Sequence, residues 1–235
     1  MKKTVLIAVI VSVFFGASYW LWHKGQLPFF GNNNLVDSSR NAPAGVAANT
    51  PIWLFTFADC GNSCINAVKE LHSRKVPFVE KVINPERRDE PDFALWQSYA
   101  TDHAFPMLVI GKQTLTGFFV PDIATLLANS FGETYLTPAE KSYFKPHFNA
   151  DGSPRIVLYG TDWCSFCAAL RKEFNAHQVS FTDVDAERVA DPLQLHQTMG
   201  ISIYPAVWVG YTRVKSGANY QAIMALADQA SENNL

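Results

Sequence analysis

The stretch that decides the fold is Arg155-Ile-Val-Leu-Tyr-Gly-Thr-Asp-Trp-Cys164-Ser-Phe-Cys167. Its first five residues form a β-branched and aromatic run that is typical of a short strand. Cys167, Leu170 and Phe174 then recur at i, i+3 and i+7, which predicts one buried face of a helix. The charged residues 171–173 lie largely outside that face. Two cysteines spaced C-x-x-C therefore stand between a strand and a helix.

The residues after this helix predict a small α/β unit. Residues 179–184 alternate in polarity and predict a second strand, and residues 191–199 predict a helix that ends at Gly200. Tyr204-Pro205 leads into a strand over 206–209, which is followed by a short strand near 212–215 and a last helix. The predicted order is β-α-β-α-β-β-α.

The first half of the chain repeats this order with weak sequence similarity. Its predicted elements are a strand over 52–57, a helix with Cys64, Val68 and Leu71 on one face, a strand over 77–83, a helix over 91–101, a strand over 107–110 and a closing helix opened by Pro121-Asp122. The motif Cys60-Gly-Asn-Ser-Cys64 stands at the first turn, and Phe105-Pro106 precedes the third strand. Cys64 lies 103 residues before Cys167, and Pro106 lies 99 residues before Pro205. This spacing predicts a tandem duplication.

The N-terminal segment, residues 1–24, is a candidate membrane anchor. Lys2 and Lys3 precede an uncharged apolar run over 4–22, which as a helix would span about 28 Å, close to the roughly 30 Å hydrocarbon core. The alternative is a cleaved signal peptide, because residues 16–18 are small. The anchor predicts a single-pass inner-membrane protein with its soluble domains in the periplasm, and cleavage predicts a secreted one.

The remaining chain divides by composition into four parts. Residues 25–50 predict a flexible tether, 51–131 a first domain, 132–153 a linker and 154–231 a second domain. The linker contains Tyr135, Tyr143, Phe144 and Phe148, and its sequence leaves open whether it packs against a domain.

The overall composition narrows the class of protein. With 48% hydrophobic residues, 17% charged residues and a net charge of −2, the chain can bury a core. It lacks the basic footprint of a nucleic-acid binder, so we expect no nucleic-acid partner.

These motifs resemble the glutaredoxin branch of the thioredoxin superfamily. In the second half, the resemblance rests on residues 163–167, on Tyr204-Pro205 about forty residues later, and on Gly210 and Gly217. In the first half, residues 105–111 and 117–123 are similar to the C-terminal part of small glutaredoxin-like electron donors. The resemblance implies an α/β fold with two tandem thioredoxin-fold domains behind a transmembrane helix.

The resemblance also implies a thiol–disulfide oxidoreductase. Cys164 would be the nucleophile, favoured as a thiolate by the helix N-terminus, and Cys167 the resolving thiol. Pro205 would be a cis-proline. The implied substrate-binding residues are Trp163, Tyr204, Pro205, Phe105 and Pro106. The implied partners are protein dithiols or disulfides and a redox protein that recharges the cysteines.

Departures from the family pattern argue against glutathione as the working partner. Thr161 and Asp162 stand where glutathione-using members carry a basic residue, and Tyr204 replaces a common Thr or Val. We therefore expect no cofactor besides the cysteines. Asp162 should also oppose formation of the Cys164 thiolate.

The first pair, Cys60 and Cys64, has one residue too many. If Cys64 corresponds to Cys167, the extra residue falls in the loop, and a disulfide remains geometrically feasible. Three interpretations stay open for this pair: a redox pair, a structural bridge, or a Cu(I) site completed by His103. We expect Asp59 to cap the following helix.

Three classes of function therefore remain. The first is a thiol–disulfide oxidoreductase that could relay electrons between its two pairs. The second is a copper-handling protein, and the third is a redox-inactive assembly or chaperone module of an envelope complex. The sequence does not give the direction of electron flow, the substrate or the oligomeric state.

Overall fold

The computed structural model describes residues 50–100, 102–215 and 219–232. They form a mixed α/β structure with two four-stranded sheets, and both sheets belong to one compact unit. The predicted anchor over 1–24 lies outside the described residues, as does all of the tether except Thr50. Within the ranges just given, no helix is both long and apolar enough to cross a membrane.

The first sheet has the strand order β2-β1-β3-β4. Strand β1 pairs in parallel with β2 and antiparallel with β3, and β3 pairs antiparallel with β4. The elements in chain order are β1 (Ile52–Phe57), α1 (Asn62–Ser73), β2 (Val79–Ile83), α2 (Pro91–Tyr99), β3 (Met107–Ile110), β4 (Gln113–Thr116) and α3 (Val120–Phe131).

The second sheet has the corresponding order β6-β5-β7-β8, with the same parallel and antiparallel pairings. Its elements are β5 (Ile156–Gly160), α5 (Ser165–Ala176), β6 (Phe181–Asp185), α6 (Pro192–Met199), β7 (Ala206–Val209), β8 (Thr212–Arg213) and α7 (Tyr220–Glu232). Each half thus shows the element order β-α-β-α-β-β-α that the sequence predicts.

Some boundaries differ from the predicted ones for local reasons. Strand β6 begins at Phe181 and not at Val179, because the Val179 N–H donates to the Phe174 carbonyl at the end of α5. Strand β8 ends at Arg213, two residues before the predicted end.

The helix faces bury the residues next to the cysteines. Cys167, Leu170 and Phe174 of α5 are buried, as predicted. In α1 the buried residues are Cys64, Ala67 and Leu71, and the predicted Val68 is half-buried and packs against the same core. The i, i+3, i+7 pattern is therefore the same in both helices.

The segment over 132–153 is not a solvated linker. It contains helix α4 (Pro138–Phe144), flanked by the 3-10 turns Gly132–Tyr135 and Lys145–His147. Phe144 belongs to the core beneath the second sheet, and Tyr135 packs against the core of the first. The aromatic residues of this segment therefore pack against both halves.

The two strand-to-helix loops differ by one residue, as the cysteine spacing predicts. Ile52 and Ile156 occupy equivalent positions, paired with Ile110 and Val209 at the same point of each sheet. Cys64 and Cys167 are each the third residue of their helix. Cys64 comes 12 residues after Ile52, whereas Cys167 comes 11 residues after Ile156.

The extra residue changes which residue precedes the helix. Cys164 occupies the N-cap of α5, whereas Gly61, with a φ of 68°, occupies the N-cap of α1. The expectation that Asp59 caps α1 was wrong, because that helix has no side-chain cap.

Candidate redox site

Cys164 and Cys167 form a disulfide across the first turn of α5, with a Cα–Cα distance of 5.2 Å. The Cys164 Sγ accepts a hydrogen bond from the Cys167 N–H at 3.1 Å. Cys164 is 6% exposed and Cys167 is fully buried, so Cys164 is the sulfur that a partner reaches first. A donor N–H and a helix N-terminus both favour negative charge on its sulfur in the reduced state.

Cys167 packs against the last residue of β5, Gly160. A Cβ at Gly160 would stand 3.0 Å from the Cys167 Sγ, which is closer than van der Waals contact. A larger residue at this position would force the sulfur or its neighbour to shift by a few tenths of an ångström. The next residue, Thr161, is also buried, and its hydroxyl has no hydrogen-bond partner among the described residues.

Arg171 lies beside this packing contact, one turn after Cys167 on α5. Its Nε and Nη2 donate to the two carboxylate oxygens of Asp183 at 2.7 and 3.0 Å, and its Nη1 donates to the Thr161 carbonyl at 3.2 Å. The hydrogen bonds to Asp183 raise the pKa of Arg171. The sequence placed Arg171 among the charged residues outside the buried face, and its i, i+4 spacing from Cys167 is the signal that could have identified it.

The Tyr204–Pro205 peptide bond is cis, as expected for Pro205. The Tyr204 ring lies 6.1 Å from the Trp163 ring in an edge-on arrangement, and its hydroxyl bonds to His196 Nε2. Burial raises the pKa of Tyr204, and nearby Glu187 adds to this effect. The structure thus brings together three of the predicted substrate-binding residues.

Glu187 and His196, which also belong to this cluster, were not anticipated from the sequence. Trp163 Nε1 donates to the Glu187 carboxylate at 3.0 Å, and His196 fixes the Tyr204 hydroxyl. Glu187 lies in the loop after β6 and His196 lies in α6, and neither belongs to a sequence motif.

Large apolar side chains around the motif face solvent. Trp163 is 70% exposed, Phe166 is 75% exposed and Ile203, two residues before Pro205, is 67% exposed. Exposed apolar side chains that cluster at one site are typical of a binding surface. A cavity of about 650 Å³ that is lined in part by Ile203 and Pro205 adjoins it.

The carboxylate of Asp162 has a cationic partner. It lies 2.6 Å from Arg188, which also contacts Asp185 at 3.2 Å. Both side chains of the Asp162 pair are mostly exposed, so the attraction is weak. Arg188 nevertheless offsets the negative charge that the sequence places beside Cys164.

Cys60 and Cys64 also form a disulfide, with a Cα–Cα distance of 5.7 Å. Cys64 is buried and Cys60 is half-buried, as in a pair with one accessible sulfur. Cys60 lies one residue outside the N-cap, and its N–H donates to the Phe57 carbonyl at 3.0 Å. It therefore lacks the position that Cys164 holds at the helix end.

The Phe105–Pro106 bond is also cis, but its surroundings differ. Phe105 stacks on Trp96 with ring centroids 5.1 Å apart, and Pro106 is buried. A cavity of about 410 Å³ lies beside Cys64 and is lined in part by Thr56 and Glu80. In the first half the ring of the residue before the cis-proline is thus stacked inside the domain, whereas in the second half Trp163 and Phe166 are exposed.

The described residues contain no group of three histidine, cysteine or acidic side chains placed to hold a metal ion. His103, the histidine considered for a Cu(I) site, lies against Trp96 with ring centroids 5.3 Å apart.

Residues 156–214 match the family model described as Glutaredoxin. The matched stretch is less than half of the chain, and it includes Cys164, Cys167 and Pro205. The match supports membership of this part in the thioredoxin superfamily and a thiol-oxidoreductase type of activity. The chain matches no curated protein.

Several plant glutaredoxin structures are similar to part of the chain. A buckwheat glutaredoxin–glutathione complex has 13% identity and a TM-score of 0.31, over 41% of this chain and 86% of that one. The holo form of glutaredoxin C1 from Populus tremula × tremuloides has 15% identity and a TM-score of 0.32, over 41% and 99%. A wheat glutaredoxin has 14% identity and a TM-score of 0.31, over 43% and 96%.

Proposed function

We propose that this protein is a thiol–disulfide oxidoreductase in which Cys164 is the nucleophile and Cys167 the resolving thiol. The observation that carries the proposal is the position of Cys164 at the N-cap of α5, where its sulfur accepts the Cys167 N–H at 3.1 Å. The match of residues 156–214 to the glutaredoxin model supports the same chemistry.

The reaction has two exchange steps that balance in electrons. The Cys164 thiolate attacks one sulfur of a substrate disulfide, which breaks that disulfide and releases one substrate thiolate. The Cys167 thiolate then attacks Cys164, which releases the second substrate thiol and forms the Cys164–Cys167 disulfide. The substrate gains two electrons, and the reverse sequence oxidises a substrate dithiol through the same residues.

The substrates in this proposal are protein disulfides or dithiols. Exposed Trp163, Phe166 and Ile203 provide an apolar surface beside Cys164 that suits a polypeptide segment. The two arginines near the motif already have acidic partners: Arg188 is paired with Asp162 and Asp185, and Arg171 is paired with Asp183. This arrangement does not favour the carboxylates of glutathione.

The proposal also includes a role for the first half. Residues 51–131 and 154–231 would be tandem thioredoxin-fold domains, which the common strand order and the equivalent helix positions of Cys64 and Cys167 support. The Cys60/Cys64 pair would exchange disulfides with Cys164/Cys167. Residues 1–24 would anchor the chain in the inner membrane with both domains in the periplasm, as the lysine pattern favours.

The test uses full-chain variants in which one cysteine is replaced by serine, and the substrate is a peptide that contains one disulfide. Cys164→Ser should abolish turnover, and Cys167→Ser should accumulate a mixed disulfide between Cys164 and the peptide, detected by mass on a non-reducing preparation. Full turnover by Cys164→Ser would contradict the proposal. If a Cys60→Ser/Cys64→Ser variant keeps the turnover and the recharging rate of the native protein, the proposed exchange between the two pairs is wrong. The proposed role of Cys164 and Cys167 would not be affected by that result.

A further inference from the structure

The resolving cysteine has a fixed cation close to its sulfur. The Cys167 Sγ lies 3.0 Å, and the Arg171 Nη2 3.1 Å, from the point where a Cβ on Gly160 would stand, so these two atoms are at most about 6 Å apart. Outside Gly160 and its two chain neighbours, they are the two heavy atoms nearest to that point. Because Gly160 has no side chain, the guanidinium of Arg171 and the sulfur of Cys167 can both lie next to it.

The guanidinium is held in place from two directions. Asp183 on β6 accepts from Nε and Nη2, and the Thr161 carbonyl accepts from Nη1. A paired, fork-shaped contact of this kind fixes the plane of the guanidinium as well as its position. Cys167 is fully buried and the Arg171 side chain is 22% exposed, so water screens the charge of the guanidinium only in part.

We propose that Arg171, oriented by Asp183, favours the thiolate form of Cys167 and thereby speeds resolution of the mixed disulfide. This inference rests on the proposed function of the pair. Arg171 stays protonated and takes no proton itself. The Cys167 proton passes to solvent base, the Cys167 thiolate attacks Cys164, and the departing substrate sulfur takes up a proton. Arg171 is thus a positioning residue.

Lys172 and Glu173 of α5 are exposed, and the other charged side chains near the site have partners. Asp183 is bound to Arg171, Asp162 and Asp185 both contact Arg188, and Glu187 accepts from Trp163. Asp183 partly offsets the positive charge of Arg171, but the guanidinium nitrogen and not a carboxylate oxygen is the charged atom beside Gly160. We therefore expect the net effect on Cys167 to follow the cation.

The first half provides a built-in comparison. By strand register and helix position, Thr56 corresponds to Gly160, Glu80 to Asp183 and Val68 to Arg171. There the Thr56 hydroxyl donates to the Glu80 carboxylate at 2.8 Å, and the helix position of the arginine holds an apolar side chain. The acid is thus retained, whereas the cation that lines the cavity beside Cys64 is the exposed Lys69, one position further along the helix. We therefore expect Cys64 to ionise less readily than Cys167.

The experiment measures ionisation of Cys167 alone. In a full-chain background of Cys60→Ser, Cys64→Ser and Cys164→Ser, thiolate absorbance is followed against pH for Arg171, Arg171→Met and Arg171→Lys. Arg171→Met should lower the thiolate fraction at pH 7 by about threefold or more, and Arg171→Lys should retain most of it. Lys172→Met, at the exposed next position, is the matched control and should change nothing.

Two outcomes would overturn the inference. One is a Cys167 titration that is identical with arginine and methionine at 171, and the other is an equal loss for lysine and methionine, which would trace the effect to packing. Circular dichroism of each variant confirms that it is folded. The titration needs no substrate and is therefore independent of the peptide-disulfide assay. If the native protein shows no turnover of the peptide disulfide but Arg171→Met lowers the Cys167 thiolate fraction as expected, the result counts against the proposed function alone.

Discussion

The guanidinium of Arg74 forms two hydrogen bonds with the carboxylate of Glu140, at 2.7 and 2.6 Å, and both side chains are buried. Arg74 directly follows α1, and Glu140 lies in α4, so the pair connects the first half to the segment over 132–153. Burial alone would raise the pKa of Glu140, but the hydrogen bonds from Arg74 and from the Thr137 N–H lower it below its usual value. The pair is therefore ionised and satisfied.

Loss of the arginine should destabilise the protein strongly. Arg74→Met leaves the buried Glu140 carboxylate without its cation, which typically costs about 3–5 kcal/mol of unfolding free energy. Glu140→Gln should cost less, because Arg74 keeps its salt bridge with Glu70 at 2.8 Å. Urea unfolding of each variant measures the change. The control is Arg87→Ala, which breaks the exposed Arg87–Glu90 pair and should cost less than about 1 kcal/mol. Equal effects of the buried and exposed changes would contradict this account.

A second connection, between His147 and β5, should make stability depend on pH. The His147 Nδ1–H donates to the Gly210 carbonyl at 2.8 Å, so in the neutral ring Nε2 accepts from the Tyr159 hydroxyl. Burial lowers the pKa of His147 to about 4. The unfolded chain, with an ordinary histidine near 6.5, binds the proton first, so stability should fall as the pH drops from about 6.5 toward 4.

The measurement is the unfolding free energy from pH 8 to pH 4 for the native chain and for His147→Leu. The leucine variant should be less stable at pH 8, but its stability should decline less between pH 6.5 and 4, by about 3 kcal/mol at most. His72→Gln, at an exposed position, is the control and should keep the native slope. Parallel curves for the native and leucine proteins would refute the role of His147.

The sequence predicted what depends on short-range pattern. The element order, the buried face of Cys167, Leu170 and Phe174, and the extra residue before Cys64 all follow from spacing along one segment. The cis bond at Pro205 was anticipated from the family resemblance.

Contacts between distant segments were not predictable from that pattern. Arg74 and Glu140 are 66 residues apart, and His147 meets Gly210 across 63 residues, so no periodicity links either pair. The charge of Arg171 predicts a surface position, and nothing in the sequence indicates that Gly160 leaves room for its guanidinium beside Cys167. Asp183, its partner, alternates outward on β6 and carries no motif of its own.

Gly160 itself should resist substitution for reasons of space. A Cβ there would stand 3.0 Å from the Cys167 Sγ and 3.1 Å from the Arg171 Nη2, so Gly160→Ala must displace one of them. Overpacking of this kind typically costs about 1–3 kcal/mol of stability. The check is a double-mutant cycle in the reduced protein, because Cys167→Ala removes the sulfur and should reduce the cost of Gly160→Ala. A cost that is unchanged by Cys167→Ala would exclude the sulfur contact as its cause.

Trp163 should affect substrate exchange without affecting stability. Its ring is 70% exposed and packs edge-on against Tyr204, so Trp163→Ala removes little buried surface and should change the unfolding free energy by less than about 0.5 kcal/mol. If the exposed rings bind polypeptide, the same change should lower kcat/KM for a protein disulfide by about tenfold, which corresponds to about 1.4 kcal/mol of lost binding.

The rate with a small alkyl disulfide, which cannot span the surface, should change far less. Val79→Ala, an exposed apolar change on the first sheet, is the matched control and should leave both rates unaltered. An equal loss with both disulfides would mean that Trp163 acts on the reactivity of Cys164 and not on substrate binding.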